Sequence, residues 1–231
     1  MKVPWRSKKA ISDAASWLRV QYQASTSLPV SPPVPVEDII ERGLGLKLGF
    51  TDLRKKLKLG DVLGATYVKD KSIWVDQSLA DDQNEGRLCF TFAHEAGHWV
   101  LHREFIDQAC RKGDNGAYIF CRLSHAKKPV EWQADYFASC LLMPEKEVKQ
   151  AFTEVFGSEP LILYNEKSCF DGPICFDPCA QNWPLIATAV KAAGGFHNVS
   201  KQAMIIRLQD LGLVQNETRV RLTWKECFAL V

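Results

Sequence analysis

The run Phe90-Thr91-Phe92-Ala93-His94-Glu95-Ala96-Gly97-His98-Trp99 restricts the fold of this chain more than any other segment. Its large apolar side chains and the small residues Ala93, Ala96 and Gly97 suit a helix packed deep in a core. The same run carries two histidines and a glutamate, which are costly to bury without partners. Residues four apart lie one above the other on a helix face, so His94 and His98 present both imidazoles to one point. Glu95 stands about 100° further round the helix, beside that point but out of line with the two rings. A bound metal ion resolves the burial cost. This is the HExxH pattern, in which the histidines are ligands and the glutamate is a general base. The competing reading is a surface helix with incidental His and Glu side chains. The flanking Phe90, Phe92, Trp99 and Leu101 argue against it.

A catalytic zinc takes three protein ligands and leaves a fourth position open. Glu131-Trp132-Gln133-Ala134-Asp135 places two carboxylates four apart on a second helix. Either Glu131 is the third ligand and Asp135 accepts the remaining N–H of a ligand histidine, or both are ordinary acids near a helix N-terminus, where the dipole favours them. Spacing alone leaves both readings open. His102 is a rival ligand, but eight residues of helix turn it about 80° away from His94. It reads better as a residue that supports the site or caps the helix end. His125 and His197 have no partner at ligand spacing.

Around these two helices the pattern is α+β. Ile11–Gln23 reads as a helix, with Ala15, Leu18 and Tyr22 at helical spacing and Ser12 as its N-cap. Pro29, Pro32, Pro33 and Pro35 then forbid regular structure, and a short helix is expected from Val36 to Gly43. Leu46–Phe50 is strand-like, and Val62–Val68 with Ile73–Val75 reads as a β-hairpin. The basic run Arg54-Lys55-Lys56-Leu57-Lys58 reads as a solvated turn. The metal helix spans about Gln83 to His102, and 103–128 is expected as loop with a short strand at Tyr118–Phe120. A helix follows from Pro129 to Met143, then another from Pro144 to Phe156. Further helices are expected over Leu185–Ala193 and Ser200–Leu211, and a partly strand-like end over Thr218–Leu230. The expected organisation is thus a domain over 1–156, a Cys- and Pro-containing insertion or linker over 157–184, and a helical part over 185–231.

Composition narrows the classes. Hydrophobic residues at 46% and charged residues at 24% of 231 are ordinary for a globular domain with a core. A net charge of +2 is too small for a general nucleic-acid binder. No apolar run approaches the roughly 18 residues that span a bilayer. The first residues do not resemble an export signal, so a cytoplasmic chain with reduced thiols is expected. Among the eight cysteines, Cys169, Cys175 and Cys179 cluster. They form either a second, structural zinc site or a set of free thiols in a loop. Their spacing lacks paired CxxC units. Phe196–Ser200 leading into Lys201–Leu213 has the look of a turn and second helix of a helix-turn-helix unit. Lys201, Gln202 and Arg207 would face base edges in a DNA reader. Ala203, Met204, Ile206 and Leu208 would instead pack against protein. Packing or a protein partner is the favoured reading, and direct DNA binding stays open.

FTFAHEAGHWVLH at 90–102 followed by EWQADYFASCLLMP at 131–144 resembles the ImmA/IrrE family of metallopeptidases. IWVDQSL at 73–79 and FHNVSKQAMIIRLQDLGLV at 196–214 fit the same family. The resemblance implies a zincin-like fold of the gluzincin type over 1–156. It implies that His94, His98 and Glu131 hold a zinc ion, that Glu95 is the base, and that Asp135 supports a ligand histidine. It further implies an intracellular endopeptidase that cuts helix-turn-helix repressors of mobile elements or stress responses. The chemistry of the ligands admits manganese or another divalent ion as well. Two other classes are compatible with the sequence: a DNA-binding regulator with a structural, closed zinc site, and a silent binder that sequesters a repressor.

Overall fold

The structure is a computed structural model. It describes residues 3–58, 60, 62–80, 85–111, 118–122, 129–163 and 183–217, with backbone only at 109–111 and 118–122. The chain divides into two compact units, Met1–Leu142 and Met143–Val231. The expected features at Cys169, Cys175, Cys179, His125 and 218–230 lie outside the described residues.

The first unit opens with helix α1 (Lys8–Thr26), which buries Ile11, Ala15, Leu18 and Tyr22, the face its spacing predicts. Its N-cap is Ser7 rather than Ser12: Ser7 Oγ accepts from the Ala10 amide at 3.2 Å. The helix therefore starts earlier, through Lys8 and Lys9, whose exposure hides them from a hydrophobic pattern. After the prolines, a single turn, α2 (Val36–Asp38), continues as a π-helical turn over Ile39–Gly43. Leu44 N closes that turn on Ile39 O at 3.0 Å.

Strands β1 (Lys47–Thr51), β2 (Val62–Tyr67), β3 (Ser72–Asp76) and β4 (Tyr118–Arg122) form one sheet in the order β1-β3-β2-β4. β1 runs parallel to β3, and β2 runs antiparallel to both of its neighbours. The β2–β3 hairpin follows the sequence pattern. The basic run after Asp52 is a short helix, α3 (Leu53–Leu57), rather than a turn. Asp52 and Asp76 both cap it. Asp52 Oδ1 accepts from Lys55 N at 2.9 Å, and Asp76 Oδ2 accepts from Leu53 N at 3.1 Å. Leu53 and Leu57 anchor it on Val62, Ala65, Tyr67 and Trp74, while Arg54, Lys55 and Lys56 stay exposed as expected.

A register shift against β4 between Val62 and Gly64 marks a β-bulge in β2. Because side chains alternate along a strand, one extra residue re-aims the positions after it. Val62 and Ala65 join the cluster under α3, while Gly64 and Thr66 meet Glu95 on the opposite face.

That opposite face carries helix α4 (Glu85–Arg111), which contains the HExxH segment. The helix continues through 103–111, where the sequence reads as loop. Ile106, eight residues past His98 and four past His102, is buried and extends the same helical face under a polar exterior. Helix α5 (Pro129–Leu142) packs on α4, and α1 packs on α5. Gly97 permits the close approach: a Cβ there would lie 3.1 Å from the Phe137 ring and 3.3 Å from the Ala134 backbone.

The second unit contains α6 (Glu145–Phe156), β5 (Leu161–Leu163), α7 (Trp183–Gly194), α8 (Lys201–Asp210) and β6 (Val214–Asn216). β5 and β6 pair in parallel. Ser200 caps α8, with its hydroxyl accepting from Ala203 N at 3.0 Å. Gln202 and Arg207 are buried along with Ala203, Met204, Ile206 and Leu208. Arg207 Nε donates to Met143 O at 3.0 Å. Of the three polar side chains considered for base contact, only Lys201 is exposed. Among the described residues, no helix is long and apolar enough to cross a membrane.

Candidate metal centre

α4 brings His94 and His98 one turn apart, with ring centroids 4.6 Å apart and planes at 81°. α5 brings Glu131 to the same point from its first turn. Glu131 Oε2 lies 3.3 Å from His94 Nε2 and 3.5 Å from His98 Nε2. Two ligand atoms each about 2.05 Å from a tetrahedral zinc are separated by roughly 3.3–3.4 Å. The observed spacings therefore suit such an ion. His98 Nε2 is buried with no hydrogen-bond partner, a costly state for a polar atom unless something is coordinated there. Among the described residues, His94, His98 and Glu131 form a group able to hold a metal ion.

The supporting contacts fix ring orientation. His94 Nδ1 lies 2.8 Å from Asp135 Oδ1, so its N–H donates to the carboxylate and the Nε2 lone pair turns to the shared point. Asp135, four residues past Glu131, thus sits where spacing alone leaves two readings open. Around His98 the partner is His102, whose Nδ1 lies 3.1 Å from His98 Nδ1. His102 supports the site from behind and is not drawn into the ligand group.

Glu95 is fully buried beside the group. Thr66 Oγ1 donates to Glu95 Oε2 at 2.5 Å, and Glu95 Oε1 has no hydrogen-bond partner. Gly64 leaves the carboxylate its place: a Cβ at that position would lie 2.5 Å from Oε1. Thr66 and Gly64 escape a reading of the sequence alone. The signal available is a glycine inside a strand pattern, which often marks close approach by another group.

The electrostatics follow from burial. Loss of solvent pushes the Glu95 carboxyl above the usual carboxylate range, against the pull of His98, His94 and the Thr66 hydrogen bond. Asp135 is raised by the same cause. For Glu131, burial acts upward, but the attraction of His98 and His94 outweighs it. Its carboxyl is held well below the usual range, and so is ionised, the state that binding a metal ion would require. His102 is pushed down to about 3, by burial first and by His98 next.

Peptide hydrolysis at such a site calls for a further donor to the oxyanion, and the sequence offers Tyr136, Tyr118 and His125 as candidates; Tyr136 is occupied elsewhere. Its ring stacks on Trp132 at 5.7 Å, and Lys8 lies 5.2 Å above it. Five residues past Glu131, it points about 140° away on the helix. Tyr118 and His125, considered for the same role, fall where side chains are not described.

A comparison with curated proteins finds no match. The sequence model of the IrrE N-terminal-like domain, a peptidase family designated Peptidase_M78, matches residues 46–159. That span holds the whole four-stranded sheet, α4 and α5, and so every residue of the His94–His98–Glu131 group. Residues 46–159 of this chain are thus similar to the IrrE N-terminal-like domain of that peptidase family.

Proposed function

We propose that the chain is a zinc-dependent endopeptidase of zincin-like fold that cuts a helix-turn-helix transcriptional repressor. The observation that carries the hydrolytic part is the approach of Glu131 Oε2 to both His94 Nε2 and His98 Nε2 at spacings that suit a tetrahedral ion, with a buried carboxylate oxygen free beside them. The repressor as substrate, and a role in releasing genes of mobile elements or stress responses, rest on the family resemblance alone.

His94 Nε2, His98 Nε2 and Glu131 would hold the ion. When bound, zinc acidifies the solvent molecule in its open position and polarises the scissile carbonyl. The chain's own residues do the rest. Asp135 keeps His94 in the Nδ1–H tautomer. Thr66 holds Glu95 Oε2, which leaves Oε1 to take the proton as solvent attacks and to return it to the leaving amine. The raised carboxyl of Glu95 suits a base that must later act as an acid near neutral pH.

The test uses the full chain loaded with zinc and the repressor encoded beside its gene, with fragments identified by mass. Wild-type protein yields two repressor fragments. Glu95→Gln retains zinc and yields none. Cleavage by Glu95→Gln at the wild-type rate rules the mechanism out. An intact repressor held in a stable complex supports the sequestering alternative instead.

A further inference from the structure

The histidine ligand on α4 that Asp135 does not touch has a support of its own, and that support leads out of the family-matched span. His98 Nδ1 lies 3.1 Å from His102 Nδ1. His102 Nε2 lies 3.2 Å from Gln133 Oε1. Gln133 Nε2 donates to the Pro4 carbonyl at 3.0 Å. All three side chains are buried, with Gln133 and His98 at 0% and His102 at 1% exposure.

The polarity of this chain of contacts is set from its far end. The Pro4 carbonyl can only accept, so the amide nitrogen of Gln133 must face it and Oε1 must face His102. Oε1 can only accept, so His102 carries its proton on Nε2. A neutral imidazole has one donor and one acceptor nitrogen. His102 Nδ1 is then the acceptor, and His98 must donate to it from Nδ1. The lone pair of His98 is thereby left on Nε2, the atom 3.5 Å from Glu131 Oε2. No other direction satisfies every link.

The N-terminal segment is held by two further contacts. Trp5 stacks on Trp132 at 5.0 Å with planes 6° apart. Arg6 donates to the Leu101 carbonyl at 3.3 Å. These grip α5 beside Glu131 and α4 beside His102, on either side of the Pro4–Gln133 bond.

We propose that His102 and Gln133 are positioning residues that fix the His98 ligand tautomer, and that the segment Pro4–Arg6, outside the family-matched span 46–159, is the anchor of that relay. The inference rests on the metal reading given above and adds the N-terminal segment to the metal centre.

The test reads metal affinity and tautomer, not proteolysis. In full-length zinc-loaded protein with nitrogen-15-labelled histidine, NMR correlations should place the proton of His98 on Nδ1 and that of His102 on Nε2. In competition with a chromogenic chelator, Gln133→Leu and His102→Phe should each bind zinc about 10–100-fold more weakly, the range typical of lost outer contacts to a ligand. Trp5→Ala should weaken binding in the same direction. His102 protonated on Nδ1 in the unmutated protein overturns the relay without any variant. Affinities within twofold of wild type in both Gln133→Leu and His102→Phe overturn it too, while the metal reading stands. If the unmutated chain binds no zinc, both readings fall together.

Discussion

Gly64 on β2 and Glu95 on α4 meet with no room between them for even a methyl group: a Cβ at 64 would lie 2.5 Å from Glu95 Oε1 and 2.9 Å from its Cγ. The strand thus serves as the wall against which the carboxylate is set, and the β-bulge at Val62/Gly64 is what turns this position toward α4.

Gly64→Ala should therefore damage catalysis more than zinc binding. The added methyl must push Glu95 away from its bond to Thr66 or move the strand, and overpacking of this kind costs about 1–3 kcal/mol. A misplaced base loses on the order of 100-fold in rate. The expected result is a zinc affinity near wild type with kcat/KM down by about that factor. Wild-type turnover in the folded variant would show that Glu95 needs no such wall.

Thr66→Val removes the hydrogen bond that stabilises ionised Glu95 while keeping the side chain's shape. The sign is fixed: a bond to the charged form lowers the carboxyl pKa, so its loss raises it further. The bond's net worth is about 0.5–1.5 kcal/mol. The acidic limb of the kcat/KM profile should move to higher pH, with activity lost more at pH 6 than at pH 8. An unmoved limb with uniformly lower activity would mean that Thr66 acts on placement alone.

How much of this is legible in the sequence depends on the length scale of the signal. His94, Glu95 and His98 are readable because one helical turn sets their geometry, and Asp135 against Glu131 repeats that turn. What brings Glu131 to the pair is packing of α5 on α4 through Gly97, a tertiary contact with no spacing of its own. The same holds for Thr66, 29 residues from Glu95, and for Pro4, 129 residues from Gln133. The short α3 is hidden because its helical character lies in two caps, Asp52 and Asp76, one of them on a different strand. The extension of α4 past His102 is hidden because a single buried residue, Ile106, carries it among polar neighbours.

Removal of a ligand and removal of its support should separate on a zinc titration. Asp135→Ala frees the His94 ring to rotate and exchange tautomer, and should weaken zinc by about 10–100-fold. Glu131→Ala deletes a donor atom outright and should weaken it more than Asp135→Ala does. Chelator competition on both variants gives the order. An Asp135→Ala protein weaker than Glu131→Ala would put the carboxylate at 135, not 131, on the ion.

In metal-free protein, the buried His102 should make stability fall on the acid side of neutrality. Its folded pKa is lowered to about 3 from 6.5, so the native imidazole stays neutral where the unfolded one takes a proton. The unfolded state then binds more protons between those two values, and stability must decrease as pH falls through that window. Above pH 6.5 the group contributes no slope. One proton of difference gives at most about 1.4 kcal/mol per pH unit. His102→Gln, neutral at every pH, lacks this term. Urea unfolding of EDTA-treated wild type and variant at pH 7, 6 and 5 should show their stability difference shifting in the variant's favour toward acid. The shift should be about 2 kcal/mol at most over that range. A difference constant from pH 7 to pH 5 would mean that His102 takes its proton as easily folded as unfolded, and the burial argument for it would fail.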